Sequence, residues 1–342
     1  MIANEMKLES PFTFEAGGTF TGLEIAYHTS AKRFDGGRKV VWICHALTAN
    51  SDPEDWWPTM VGEGKLIDTR KYFIVCVNML ASPYGTSGPS TIDPATGKPY
   101  FFSFPKVTIR DIVSTLTLVR EHLGIEKVDL LIGSSIGGFV ASEWAATEPD
   151  VIGRLVLMAT DVRITPWLSA MCEAQRMALE ADPTFRAAGN LDGGKAGLKC
   201  ARAQALISYR CFDGYLKTQS EPDPDTLFAG RAASYERYQG EKLARRFDAY
   251  SYYYLCDVLD SHNVGRGRGG VEAALGGITA GTIVIGIDTD TIFPPKRMVS
   301  WAKMIPGAEY FDISSDFGHD GFLLETGQLT ALLEPELRRL DY

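Results

Sequence analysis

Val128-Asp129-Leu130-Leu131-Ile132-Gly133-Ser134-Ser135-Ile136-Gly137-Gly138 is the stretch that decides how this chain folds. Val128 to Ile132 suits a buried strand, and Ile136 to Thr147 follows directly with helical character, ended with the help of Pro149. Between them stands Gly133-Ser134-Ser135-Ile136-Gly137, a G-x-S-x-G sequence in the strand–turn–helix setting that a nucleophile elbow requires. Such a turn crowds the residues two before and two after the nucleophile. With Ser135 at the centre both are glycine, whereas with Ser134 they are Ile132 and Ile136. Ser135 is the expected nucleophile. The N–H of Ile136 opens the helix, where free amides and the helix dipole favour negative charge, and it is the first expected oxyanion donor. The plainer rival is a Gly/Ser turn opening an ordinary helix.

Outward from this turn the chain alternates strand and helix. Lys39 to Ala46, Tyr72 to Met79 and Arg154 to Ala159 read as buried, nearly continuous apolar strands, which suit a sheet covered on both faces. Thr108 to Leu123 has apolar residues at helical spacing. Strand alternating with helix implies parallel pairing. Thr13 to Phe20 and Leu23 to Thr29 are expected to form an opening hairpin. From about Arg163 to Ala274 no strand run is evident, and helical segments take over at Ala170 to Ala181, Lys199 to Cys211 and Tyr235 to Leu259. Gly265 to Gly270 reads as a flexible return. The sheet pattern resumes at Thr282 to Ile287 and Glu309 to Ile313, and Gly321 to Leu340 has helical spacing. The expected organisation is a core from 1 to 162, a helical lid insertion from 163 to 274, and the rest of the core from 275 to 342.

The 342 residues are ordinary in composition, 45% apolar and 23% charged. Acidic residues outnumber basic ones 43 to 34, for a net charge of -9, which opposes binding to nucleic acid or anionic lipid. The first ten residues hold Glu5, Lys7 and Glu9 and lack a signal-peptide core. The most apolar stretch, Val128 to Ala146, is interrupted by Ser134, Ser135 and three glycines, so no membrane span is expected. Six scattered cysteines suit free thiols in a reducing cytoplasm, and five dispersed histidines argue against a metal site.

A serine hydroxyl needs a base to take its proton. Of the two histidines after Ser135, His319 lies just beyond a strand, where catalytic groups gather in open α/β sheets, while His262 sits beside the glycine-rich return. His319 is the expected base. The acid should follow the strand ending at Ile287, and spacing leaves both Asp288 and Asp290 open.

Several segments resemble the homoserine O-acetyltransferase family of α/β-hydrolase-fold acyltransferases. They include Cys44-His45-Ala46-Leu47-Thr48, Gly64-Lys65-Leu66-Ile67-Asp68-Thr69, Tyr84-Gly85-Thr86-Ser87-Gly88-Pro89-Ser90 and Thr96-Gly97-Lys98-Pro99-Tyr100. Val107-Thr108-Ile109-Arg110-Asp111, Tyr238-Gln239-Gly240, Arg246-Phe247-Asp248-Ala249, Phe293-Pro294-Pro295 and Gly318-His319-Asp320 complete the set, in order from about residue 38 to 326. The resemblance implies an α/β-hydrolase fold with a mostly parallel central sheet flanked by helices and a helical lid. It implies acyl transfer from acetyl-CoA to the hydroxyl of homoserine, with no bound cofactor, and a homodimer as the candidate assembly. It selects Asp290 as the acid, three residues before Phe-Pro-Pro. It adds the N–H of Leu47 as second oxyanion donor, Arg202 as holder of the amino acid's carboxylate and Asp320 as holder of its amino group.

The chain departs from that family at Gly133-Ser134-Ser135-Ile136-Gly137-Gly138, at Ala49-Asn50-Ser51-Asp52 and at Tyr250. These departures leave other readings in play: succinyl-CoA as donor, another hydroxyl acceptor, a serine esterase with the same triad, or a non-catalytic binding protein. Arg202 has a plain rival as a surface ion pair, and Asp320 as a helix N-cap.

Overall fold

The computed structural model describes residues 1–187 and 189–341. The chain opens with β1 (Ile2–Lys7), a miniature hairpin of β2 (Phe12–Thr13) and β3 (Thr19–Phe20), then β4 (Glu24–Thr29), β5 (Val40–Cys44), the short helix α1 (Pro53–Trp56) and β6 (Phe73–Val77). A second miniature hairpin, β7 (Ile92–Asp93) and β8 (Lys98–Pro99), precedes α2 (Ile109–His122), β9 (Val128–Ser134), α3 (Ile136–Thr147) and β10 (Ile152–Met158). Six helices follow with no strand among the described residues: α4 (Pro166–Glu180), α5 (Lys195–Tyr209), α6 (Phe212–Gln219), α7 (Arg231–Ala244), α8 (Ala249–Asp260) and α9 (Val271–Gly276). The chain then returns through β11 (Gly281–Ile287), α10 (Pro295–Ala302), β12 (Glu309–Ile313), α11 (Gly321–Leu324) and α12 (Thr326–Arg338).

The central sheet has eight strands in the order β1-β4-β6-β5-β9-β10-β11-β12. β1, β4 and β6 pair antiparallel, and every pairing from β6 to β12 is parallel. Side chains alternate between two cores, as the period of two demands. Val40, Trp42 and Cys44 of β5 join one core, packed against α2, α3 and α10, while Val41 and Ile43 join the other, under α12 and the α1 region. Both sheet faces are thus dry, which is why these strands read as unbroken apolar runs. Trp144 of α3 meets Trp42 edge-on, with ring centroids 4.9 Å apart, and fixes the helix over the sheet.

The opening differs from expectation. Thr13 to Phe20 is not one strand, because Gly17 and Gly18 take positive φ and fold it into its own hairpin. β4 instead pairs with β1, in register from Ile2 opposite Thr29 to Lys7 opposite Glu24. β1 is largely exposed and polar, and because Asn4 shares its half-buried face with Met6 the sequence shows no apolar alternation; backbone bonds hold it as an edge strand. Tyr235 to Leu259 is likewise two helices. The break at Arg245 to Asp248 ends with Asp248 capping α8 through the Ser251 N–H at 2.7 Å. The C-terminal segment breaks at Glu325 into α11 and α12. The glycine-rich return is pinned by ion pairs, Arg266 to Glu15 and Arg268 to the buried Glu143.

α2 begins with a full capping box between Thr108 and Asp111, and Asp111 also accepts the Glu15 N–H at 2.8 Å. Thr108→Ala should lower stability by about 1 kcal/mol. Asp111→Ala should cost more, since it strips acceptors from two backbone amides. Paired urea melts that reverse this order would show that the Glu15 contact contributes nothing.

Candidate active site

Ser135 sits between β9 and α3 with φ 55° and ψ −128°, a region that non-glycine residues rarely adopt. Close backbone approach imposes it. A Cβ on Gly133 would stand 2.2 Å from the Gly137 carbonyl oxygen, and one on Gly137 would stand 2.2 Å from the Cys44 carbonyl oxygen. The Ser135 N–H donates to the carbonyls of Met158 and Ala159 at 3.1 and 3.2 Å. Ser134 is the last residue of β9, so the turn is centred on Ser135.

His319 lies in a 3-10 turn, Gly318–Asp320, beyond β12, with its side chain buried. Its Nδ1 donates to Asp290 Oδ2 at 2.7 Å. The other Asp290 oxygen accepts the N–H groups of Ile292 and Phe293 at 2.8 and 3.0 Å, which fixes the carboxylate. Asp288 turns elsewhere, accepting the Ser314 hydroxyl at 2.7 Å and the Ser315 N–H at 3.1 Å. Asp290 touches the histidine; Asp288 braces the loop beside it. His262 is buried against Phe139, ring centroids 4.1 Å apart, and lines a different cavity from Ser135. Burial pushes its pKa down to about 3.

Ser135 and His319 open into one cavity of about 630 Å³, whose wall also includes Leu47, Arg202, Tyr209, Arg246 and Asp320. The Leu47 loop is set by His45, a fully buried residue. Its Nε2 accepts the Met79 N–H at 3.1 Å, so the proton is on Nδ1, which donates to the Ala46 carbonyl at 2.8 Å. Burial lowers the His45 pKa to about 4, so it stays neutral across the physiological range. Among the described residues neither the Leu47 N–H nor the Ile136 N–H has a hydrogen-bond acceptor. Leu47 lines the cavity, and Ile136 directly follows Ser135, which lines it.

Arg202 lies in α5 with its guanidinium 5.3 Å from the centre of the Tyr209 ring. Its Nε is buried without a hydrogen-bond partner, and no carboxylate lies within ion-pair distance among the described residues. The surface ion pair is therefore not what the structure shows. Tyr209, seven residues on and so on the same helix face, also stands 5.8 Å from the His319 ring. That spacing was a readable signal for Tyr209. Asp320 makes no helix cap; it pairs with Arg210 at 3.3 Å.

Charge around His319 works against its burial. Burial alone would lower the imidazole pKa, but Asp290, by charge and hydrogen bond, and Asp320, by charge, leave it raised. Burial raises the Asp320 pKa, offset only in part by Arg210, His319 and Arg202. Among the described residues no group of three His, Cys, Asp or Glu side chains is arranged to hold a metal, and no helix is long and apolar enough to cross a membrane.

A family model described as the alpha/beta hydrolase fold matches residues 39–326. The homoserine O-acetyltransferase of Cyclobacterium marinum is 40% identical over 326 residues, covering 95% of this chain and 92% of that protein. Among solved structures, esterase E22 superposes with a TM-score of 0.88 at 23% identity, covering 98% of this chain and 99% of that one. The homoserine O-acetyltransferase from Bacillus anthracis does so with a TM-score of 0.87, also at 23% identity, covering 98% and 97%. At that identity the two structures speak for the fold alone. The chain is an α/β-hydrolase-fold enzyme. Within that class it belongs to the homoserine O-acetyltransferase family.

Gly137→Ala tests the steric origin of the elbow. It should lose about 3 kcal/mol or more, the upper end of overpacking costs. Gly327→Ala, on an open face of α12, should be neutral or slightly stabilising. Equal melting temperatures for the two variants would refute the close-approach argument.

Proposed function

We propose that this protein moves an acetyl group from acetyl-CoA to the side-chain hydroxyl of L-homoserine, a step toward methionine, through an acyl intermediate on Ser135. The observation that carries this reading is the unpaired Arg202 guanidinium beside Ser135 and His319. Asp320 and Glu236 feel its charge but neither makes an ion pair with it, and a partly buried guanidinium with no direct partner fits an anionic ligand group, here the amino acid's carboxylate. Asp320, in the same wall, offers the opposite charge for its amino group. A water-using esterase needs neither. The 40% identity to a homoserine O-acetyltransferase supports the same substrate.

In this mechanism Asp290 holds His319 with Nδ1–H inward, leaving Nε2 to take the Ser135 proton. Ser135 Oγ attacks the thioester carbonyl, and the oxyanion is received by the N–H groups of Ile136 and Leu47. The C–S bond breaks, and His319 returns its proton to the departing CoA thiolate. Homoserine then enters; His319 takes its hydroxyl proton as the oxygen attacks the acyl-serine. Collapse releases O-acetylhomoserine, and the proton returns to Ser135 Oγ.

Two further cations line the cavity. Arg246 is bound to the Thr48 carbonyl and the Tyr84 hydroxyl, and Lys242 is exposed on α7. Neither offers the sheltered, unpaired charge that a succinyl carboxylate would need, which favours acetyl. We assign α4 to α9 as the lid over this cavity and the enzyme to the cytoplasm without a bound cofactor, with a homodimer as the candidate assembly.

Release of CoA from acetyl-CoA, measured with and without L-homoserine, tests the proposal. Homoserine-dependent release that vanishes in Ser135→Ala is expected; release indifferent to homoserine would move the assignment to a hydrolase. Asp290→Asn should lower kcat by about four orders of magnitude, while Asp288→Asn should lose far less. Because His319 must be neutral to act, its raised pKa moves the acid limb of kcat/KM upward from where an ordinary imidazole would put it. Asp320→Asn removes one stabilising negative charge, so that limb should move to lower pH while the KM for homoserine rises. A limb that stays in place would remove Asp320 from the electrostatics of the base.

A further inference from the structure

We infer that Thr160 is a positioning residue for the oxyanion site, acting through the single peptide group that joins Ser135 to Ile136; the inference rests on the roles proposed above for these two residues. Thr160 lies two residues beyond β10 and is fully buried. Its hydroxyl donates to the Ser135 carbonyl at 2.7 Å. The same oxygen accepts the N–H groups of Gly138 and Phe139 at 2.9 and 3.3 Å, so Thr160 is its nearest donor.

The consequence follows from peptide planarity. The Ser135 carbonyl and the Ile136 N–H belong to one rigid trans unit and point in opposite directions. Fixing the carbonyl oxygen therefore fixes where the N–H aims. That N–H has no acceptor of its own and opens the helix beside the nucleophile. Three donors on one carbonyl also draw electron density from the amide, which strengthens its N–H as a donor in a low-dielectric site.

Thr160 is itself held firmly. Its neighbour Ala159 has φ 44°, and the Ala159 N–H donates to the Ile285 carbonyl on β11 at 2.9 Å. The Thr160 side chain occupies the space where a Cβ on Gly138 would stand, which restricts its rotation. The hydroxyl thus works from a fixed point on the neighbouring strands. Its effect belongs to the transition state, because the oxyanion forms only there.

The test compares Thr160→Val, which keeps the shape and removes the hydroxyl, with Thr160→Ser, which keeps the hydroxyl. Active sites are first counted with a fluorophosphonate taken to completion, so that misfolded protein drops out. Thr160→Val should lower kcat per site about tenfold, a fraction of the two to three orders of magnitude that losing a donor outright costs. The KM for acetyl-CoA and for homoserine should stay within about two-fold, and a boronic acid that mimics the tetrahedral adduct should bind about tenfold more weakly. Thr160→Ser should restore both properties. A Thr160→Val enzyme with parental kcat per site overturns the inference, as does a Thr160→Ser enzyme equally impaired, which would point to packing. Ser135→Ala, run alongside, separates the two levels: an active Ser135→Ala protein overturns the mechanism itself, whereas an inactive one beside a normal Thr160→Val enzyme overturns this inference alone.

Discussion

The backbone contact among Gly133, Gly137 and Cys44 is the constraint on which the site depends. It brings the first turn of α3 against the ends of β9 and β5 with no room for a side chain at either glycine. That proximity forces Ser135 into its unusual φ and leaves the Ile136 amide, the first of α3, without an acceptor. The turn is strained, and it persists because its surroundings over-determine it. Ser135 donates into the end of β10 through its N–H, and Ala159 there donates onward to β11. The turn that follows β11 carries Asp290. The proposed nucleophile and acid are therefore tied to the ends of β9 and β11, on either side of β10 in one stiff sheet.

This arrangement explains which residues could be read from the sequence. Ser135 was legible because its neighbours at two positions before and after must be glycine, a local and steric requirement. His319 was legible because chain order and its place after a strand left one good candidate. The choice between Asp288 and Asp290 could not come from spacing, since both lie in one turn and only side-chain direction separates them. In the fold one points at His319 and the other at Ser314. His45 and Thr160 left no trace in any local pattern. Each works through a hydrogen bond to a residue that only sheet pairing brings near. β1 went unread for a related reason: an exposed edge strand is held by its backbone and shows no alternation to detect.

The electrostatics of the cavity separate an amino-acid acceptor from water. A hydrolase of this fold requires a nucleophile, a base and oxyanion donors, all of which a largely neutral cavity can supply. Here Arg202 carries an unpaired charge next to Tyr209, and Asp320 stands beside the base. Such charges are expensive to shelter, and Asp320 also makes His319 harder to deprotonate. A site that needed only water would gain from losing both. Under the proposed function, a zwitterionic amino acid between them offsets that cost.

The departures from the family pattern can be sorted by where they fall. Tyr250 is buried against Phe101, Phe102 and Phe185, its hydroxyl bound to the Phe185 carbonyl, so it shapes the packing of α8 rather than the cavity. Ile136 is fully buried, and only its backbone concerns the site. Ser51 exchanges hydrogen bonds with Asn78 and His28, and Asp52 caps α1, so both are consumed by the scaffold. Only Ala49 and Asn50 reach the cavity wall, where Asn50 is tied to Asp55 at 2.9 Å. The residues proposed as nucleophile and base and as holders of the amino-acid charges are thus untouched by these changes. Any shift in specificity they bring must act where Ala49, Asn50, Asp55 and Trp56 line the wall, away from the reacting atoms.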